Sequence, residues 1–167
     1  RKGIGPIYAL TYGPPLASIE LFAEQAAQKI DRILEETRAK QVVVIAHSMG
    51  GLVMRAYFRR YGGAKVAKLV TVGAPHEGSV HAWMAAGTSL AQIRPGNAWL
   101  ATLGAPDGPD IPPIVSIWSW HDSMVAPQTS SRIAYGDNIV LGGVAHNALL
   151  RDPQVFGHLA DEIERGT

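Results

Sequence analysis

The chain has 167 residues, a formal net charge of +1 and no cysteine, and charged residues make up 17% of it. Its length predicts one domain, spanning residues 1–167, with enough interior for a hydrophobic core. Lys and Arg are scattered rather than gathered into a basic stripe, which argues against nucleic acid as a partner. The absence of cysteine excludes disulfides, thiolate nucleophiles and cysteine-ligated zinc, but it leaves the cellular compartment open.

The first part of the sequence alternates strands with helices. Ile7 to Leu10 is a short β-prone run that ends near two prolines, and it predicts a strand followed by a loop. Apolar residues then recur at helical spacing from Ile19 to Leu34, and Ser18 can cap that helix. Gln41 to Ala46 is a continuous apolar run, which predicts a central strand covered by helices on both faces.

The rest of the sequence continues this alternation around a less regular insert. Strands are predicted at Lys68 to Val72, Ile114 to Trp120 and Asn138 to Leu141, and helices at Leu52 to Tyr61 and Gln154 to Arg165. Residues 76–113 form the insert, whose short helical pieces are expected to lie over the edge of the sheet. The pattern as a whole predicts the α/β class, with a mostly parallel sheet.

A turn between a strand and a helix carries the candidate nucleophile, Ser48. A serine hydroxyl is a poor nucleophile near neutral pH, so it needs an exposed position, a base beside it and donors for the oxyanion. A sharp turn exposes Ser48 and places the backbone N–H of Met49 at a helix N-terminus, as an oxyanion donor. Ala46 and Gly50 are the small flanking residues of a close variant of the G-x-S-x-G pattern. The alternative reading is an ordinary capping serine, and the neighbouring His47 is expected to support or pack beside the site.

His146 and Asp122 are the candidates for the base and the acid. In sheets of this kind the partners follow the serine in the order acid then histidine, each at the carboxyl end of a later strand. Asp122 could instead be a plain turn residue. The remaining histidines and aspartates fit these positions less well: His76, His81, His121, His158, Asp107, Asp110, Asp137 and Asp152.

Three segments resemble the catalytic segments of small bacterial lipases and esterases in the α/β-hydrolase superfamily: residues 46–51 (A-H-S-M-G-G), 121–125 (H-D-S-M-V) and 143–150 (G-V-A-H-N-A-L-L). The resemblance covers almost the whole chain and implies the α/β-hydrolase fold. It implies hydrolysis of small-molecule or lipid esters through an acyl-enzyme on Ser48, with His146 as base then acid, Asp122 as its orienter, and no cofactor or metal. A thioesterase, an acyltransferase or a binding module without turnover would share these features.

The insert and the start of the chain depart from that family. The insert is longer than the minimal members need, and its apolar residues could form a small cap over an acyl pocket or simply pack onto the sheet: Trp83, Met84, Leu90, Trp99 and Leu100. The family also places a strand, with a His-Gly segment that supplies a second oxyanion donor, between the first two strands predicted here. Without that strand, buried backbone groups would be left unpaired. We therefore expect a preceding segment of a longer chain, or a separate strand donor, to fill the gap.

No apolar run is long enough for a signal peptide or a membrane span. The localisation therefore stays unknown, and a secreted or membrane-associated bacterial enzyme is among the possibilities.

Overall fold

A parallel four-stranded sheet forms the centre of the computed structural model, which describes residues 4–13, 16–104 and 110–165. The strands are β1 (Val42–His47), β2 (Val66–Val72), β3 (Ile114–Ser119) and β4 (Asp137–Leu141), and they lie side by side in that order. Each neighbouring pair is parallel. The predicted α/β class with a parallel sheet is confirmed.

Within the described residues, five α-helices connect or flank the strands: α1 (Ile19–Thr37), α2 (Met49–Tyr61), α3 (Thr88–Ile93), α4 (Ala98–Thr102) and α5 (Pro153–Glu164). Short 3-10 helices occur at Val80–Trp83, Gln128–Ser131 and His146–Leu150. The Ser18 side chain accepts a hydrogen bond from the backbone of α1, and Asp152 does the same for α5, so both predicted caps are present. No helix in the described part of the chain is long and apolar enough to span a membrane.

Helices pack on both faces of the sheet at β2. On one face, Leu69 of β2 belongs to a core with α1 and α2. On the other face, Val70 and Val72 join a second core that includes Val155 of α5. Side chains of a strand alternate between the two faces, so β2 contributes to both cores and holds the two helix layers together.

A buried ion pair adds to the attachment of α5. Lys68 Nζ lies 3.0 Å from Glu162 Oε2, and the two side chains are 8% and 9% exposed. Lys68 Nζ also donates to the Glu162 backbone carbonyl at 3.0 Å. A buried pair of this kind tolerates the loss of one partner poorly, because the remaining charge stays in a low-dielectric interior.

Two predictions about the first part of the chain are wrong. Residues 4–13 contain no strand, and Ile7 is 82% exposed. The strand expected to be central, β1, lies at the edge of the sheet and pairs only with β2 among the described residues. A strand forms only where a neighbour takes up its backbone hydrogen bonds, and no strand among the described residues pairs with Ile7 to Leu10. Ile45 of β1 is 46% exposed.

The insert packs on helices α1 and α2. Gln92 Oε1 accepts from the Ile19 backbone N–H at 2.8 Å, and Gln92 Nε2 donates to Glu20 at 2.8 Å. Trp99 Nε1 also donates to Glu20. Leu100 is buried in the core with α1 and α2, and Leu90 is half-buried. Burial of apolar side chains against α1 and α2 therefore decides where this segment lies.

Candidate active site

The backbone at Ser48 makes a sharp, strained turn between β1 and α2. Its φ of 53° and ψ of −126° are rarely adopted by residues with a side chain. The turn is held by hydrogen bonds from Ser48 N to Val72 O at 2.9 Å and from Gly51 N to Ser48 O at 3.1 Å. A conformation of this type costs about 1 to 3 kcal/mol and is found where the surrounding structure imposes it, often at functional sites.

The glycine that this turn requires most is Gly51. A Cβ atom there would lie 2.5 Å from the Ala74 Cβ and 3.1 Å from Thr71 Cγ2, so any side chain would push α2 away from β2. At Gly50 the added atom would lie 3.6 Å from the Ala46 Cβ, an ordinary contact. The G-x-S-x-G pattern pointed to Gly50. The second glycine of the pair, Gly51, is the one whose backbone approaches its neighbours most closely.

The structure brings the three predicted catalytic side chains into hydrogen-bond contact. His146 Nε2 lies 3.0 Å from Ser48 Oγ, and His146 Nδ1 lies 2.7 Å from Asp122 Oδ2. Asp122 and His146 are each 3% exposed. A carboxylate accepts hydrogen bonds but does not donate them, so Nδ1 carries the imidazole proton and Nε2 is free to accept one from Ser48.

Asp122 is held as an ionised acceptor. Its Oδ1 accepts the backbone N–H groups of Met124 and Val125, both at 2.8 Å. Burial raises the pKa of the Asp122 carboxyl, but the hydrogen bonds from His146, Val125 and Met124 together outweigh it and lower the pKa below its ordinary value. The carboxylate therefore stays charged beside the imidazole.

Gly73 lies directly beneath the side chains of Asp122 and His146. Its φ is 57°, and its N–H donates to the Ile117 carbonyl at 2.9 Å. A Cβ atom at this position would lie 3.2 Å from both Asp122 Oδ2 and His146 Cε1, and 3.1 Å from Leu149 Cδ1. Glycine therefore allows the backbone after β2 to pass directly under the hydrogen-bonded pair.

Two histidines that were not predicted to be the base lie next to His146. His47 contacts the ring of His146, and His121 contacts the loop that precedes it. The His47 ring centroid lies 4.7 Å from that of His146, with the planes inclined at 45°. His121 Nδ1 accepts a hydrogen bond from Gly143 N at 2.8 Å, which connects the segment carrying Asp122 to the segment carrying His146. In the sequence, these contacts were indicated only by the position of His47 next to Ser48 and of His121 next to Asp122.

The other candidates lie elsewhere. His76 is buried with Nε2 3.0 Å from Thr71 Oγ1, and burial, followed by the nearby Arg55 guanidinium, lowers the pKa of His76 to about 3. His81 is exposed and His158 is half-buried on α5. The remaining aspartates occupy other positions: Asp110 is exposed, Asp137 begins β4, Asp152 caps α5, and Asp107 is outside the described residues.

Known proteins share this architecture. A family model described as the alpha/beta hydrolase fold matches residues 14–98. The mature lipase BlEst2 of Bacillus licheniformis superposes with a TM-score of 0.77 at 14% identity, over 89% of this chain and 75% of that one. Lipase B of Aspergillus fumigatus superposes with a TM-score of 0.71 at 23% identity, over 83% of this chain and 40% of that one.

A third similar structure is MGS-MChE2, an alpha/beta hydrolase enzyme from a lagoon sediment metagenome. It superposes with a TM-score of 0.61 at 16% identity, over 90% of this chain and 72% of that one. At such identities the superpositions establish the shared fold. The match also spans less than half the length of the Aspergillus lipase.

Proposed function

The chain belongs to the alpha/beta hydrolase fold family, and from that premise we propose that it hydrolyses hydrophobic carboxylic esters with Ser48 as the nucleophile. The observation that carries the proposal is the position of His146 between the other two side chains. Its Nε2 is 3.0 Å from Ser48 Oγ while its Nδ1 is 2.7 Å from Asp122 Oδ2. A base that contacts both a hydroxyl and a buried carboxylate is the arrangement that activates serine in acyl transfer.

The proposed reaction has two steps. In acylation, His146 Nε2 takes the hydroxyl proton as Ser48 Oγ attacks the ester carbonyl carbon, and His146 then gives that proton to the departing alcohol oxygen. In deacylation, water loses a proton to His146 and attacks the acyl carbon, which releases the acid and returns the proton to Ser48. Asp122 remains ionised throughout, keeps the imidazole in the required tautomer and stabilises its protonated form.

Met49 is the proposed backbone donor to the oxyanion. It is the first residue of α2, so its N–H belongs to the helical turn whose donors have no acceptor within the helix. The same position lies at the positive end of the helix dipole. Negative charge that develops on the ester oxygen beside Ser48 would therefore be stabilised there.

A second donor is proposed to accompany a strand that covers the free edge of β1. The support is the apolar strand β1 itself, which pairs only with β2 among the described residues and leaves its other edge free. One oxyanion donor is worth about a hundred- to a thousandfold in turnover. Mass spectrometry and light scattering of active protein test this proposal, because full activity in a monomer of 17.8 kDa would contradict it.

The acyl chain is proposed to contact the exposed part of the insert. Trp83 and Met84 are 62% and 82% exposed, and their segment is tied to the acid's segment by a 2.8 Å hydrogen bond from Ser79 Oγ to Met124 O. Alanine at Trp83 or Met84 should change the preference for acyl-chain length. Alanine at Trp99, which packs against α1, is the matched control, and an unchanged preference in the first two variants would contradict the contact.

A serine-directed phosphonate probe tests the proposed nucleophile. Labelling of the native chain should disappear in Ser48→Ala and persist in Ser18→Ala, in which only a helix-capping hydroxyl is lost. Nitrophenyl esters of graded length, one thioester and an added alcohol acceptor then separate esterase, thioesterase and acyltransferase activities. Absence of labelling and turnover would instead support a binding module.

A further inference from the structure

We propose that His47 is a positioning residue that holds the ring of His146 in line with Ser48, an inference that rests on the proposed function. His47 contacts neither the reacting atoms nor a bound substrate in this role. It would act through His146, whose ring centroid is 4.7 Å away.

The two hydrogen bonds of His146 do not fix its ring completely. Both lie along the edge of the ring, at Nδ1 and Nε2, so the ring can still rock about the line that joins these atoms. The loop before His146 contains Gly142 and Gly143, the residue type that restrains the backbone least. A ring packed beside the imidazole would oppose this rocking.

His47 is well placed to provide that contact because its own backbone is anchored. It is the last residue of β1 and is paired with Val72 of β2. The next residue, Ser48, is fixed to the same strand by its hydrogen bond to Val72 O. A single strand end therefore positions both the nucleophile and the surface against which the base rests.

The chemistry of the His47 side chain fits a contact through the ring. Its Nε2 is buried and has no hydrogen-bond partner among the described residues. Burial, followed by repulsion from His146, lowers the pKa of His47, while a hydrogen bond to the His146 backbone and the charge of the Asp122 carboxylate raise it by less. These are the titratable groups that act on His47, and together they keep it neutral near pH 7. A neutral ring can lie against the His146 imidazolium that forms during the reaction, whereas a second cation would repel it.

Substitutions of His47 that remove its ring, or that keep a ring without polar atoms, test the proposal. His47→Ala and His47→Asn remove the ring, and each should lower kcat for nitrophenyl ester hydrolysis by about ten- to a hundredfold with KM nearly unchanged. His47→Phe retains a ring without a charge and should restore kcat to within about threefold. His158→Ala, on α5, is the matched histidine control.

A second readout requires no turnover. The proton on His146 Nδ1 that is bonded to Asp122 should give a low-field NMR signal in the native chain and in His47→Phe, and that signal should broaden in His47→Ala. If the native chain is inactive while the signals behave in this way, the proposed function fails and the positioning role stands. Unchanged kcat and signal in His47→Ala, or a His47→Phe variant as impaired as His47→Ala, would overturn the role of His47.

Discussion

Replacing Asp122 by Asn should disable the base while leaving its position intact. Oδ1 of Asp122 accepts two backbone N–H groups at 2.8 Å, so the amide oxygen of Asn must take that place. The amide NH2 then faces His146 Nδ1, which lies 2.7 Å from the other carboxylate oxygen. Two donors cannot face each other, so the imidazole proton moves to Nε2 and points at Ser48 Oγ. His146 can then no longer accept the hydroxyl proton.

The expected loss follows from this change of tautomer. The same substitution in a serine protease triad lowers kcat about 10⁴-fold, which corresponds to about 5.5 kcal/mol of transition-state stabilisation. Ser48→Ala or His146→Ala should cost about 10⁶-fold, because in the proposed mechanism each removes a group that takes part in bond making. Asp122→Asn should therefore retain more activity than either alanine variant.

Hydrolysis of a nitrophenyl ester, with the folded fraction determined by thermal unfolding, measures the loss. Asp152→Asn is the matched control because Asp152 also accepts two backbone N–H groups, at 2.8 and 3.3 Å, and caps α5. Asn caps a helix about as well as Asp, so that variant should keep its activity. An Asp122→Asn variant within tenfold of the native rate would refute the assignment of Asp122 as the acid.

Three further results are expected. Gly73→Ala should lower both kcat and the melting temperature, because the new Cβ would crowd the side chains of Asp122 and His146. Gly142→Ala is the control and should be active, because no atom lies within 4 Å of its added Cβ; equal activity in the two variants would contradict the close approach at Gly73. His76 is neutral in the folded chain down to about pH 3 and takes up a proton when unfolded below its ordinary pKa of 6.5, so stability should fall with pH below that value. Urea unfolding between pH 6.5 and 5 should show a loss of stability in the native chain that exceeds the loss in His76→Gln by up to about 1.4 kcal/mol per pH unit; parallel losses in the two chains would argue against the depressed pKa. Lys68→Met should lower the free energy of unfolding by about 3 kcal/mol, which is the lower end of the range for a broken buried ion pair. The lower end applies because Arg165 still contacts the Glu162 carboxylate. An unchanged free energy of unfolding would show that water reaches the pair.

Much of the fold could be predicted because local patterns in the sequence are sufficient for it. The apolar period of α1, the capping hydroxyl of Ser18 and the β-branched run of β1 each act within one element. The turn at Ser48 was likewise predictable from the strand before it and the glycines after it. The positions of Asp122 and His146 followed from chain order, because the carboxyl ends of parallel strands share one edge of the sheet.

The neighbours of each strand were decided only by the tertiary structure. Ile7 to Leu10 has the composition of a strand but forms none, and β1 has the composition of a central strand but lies at the edge. Pairing depends on which segment supplies the facing backbone groups, and composition does not contain that information.

Close approaches between distant residues were also beyond the sequence. A side chain at Gly51 would collide with Ala74, and one at Gly73 would crowd Asp122 and His146. These neighbours are far away along the chain. The contact between the rings of His47 and His146 has the same origin. The sequence by itself determined which residues could perform the chemistry, through patterns of short range. The tertiary structure decided which backbone and which rings hold them in place, because those contacts form only when the strands are assembled side by side.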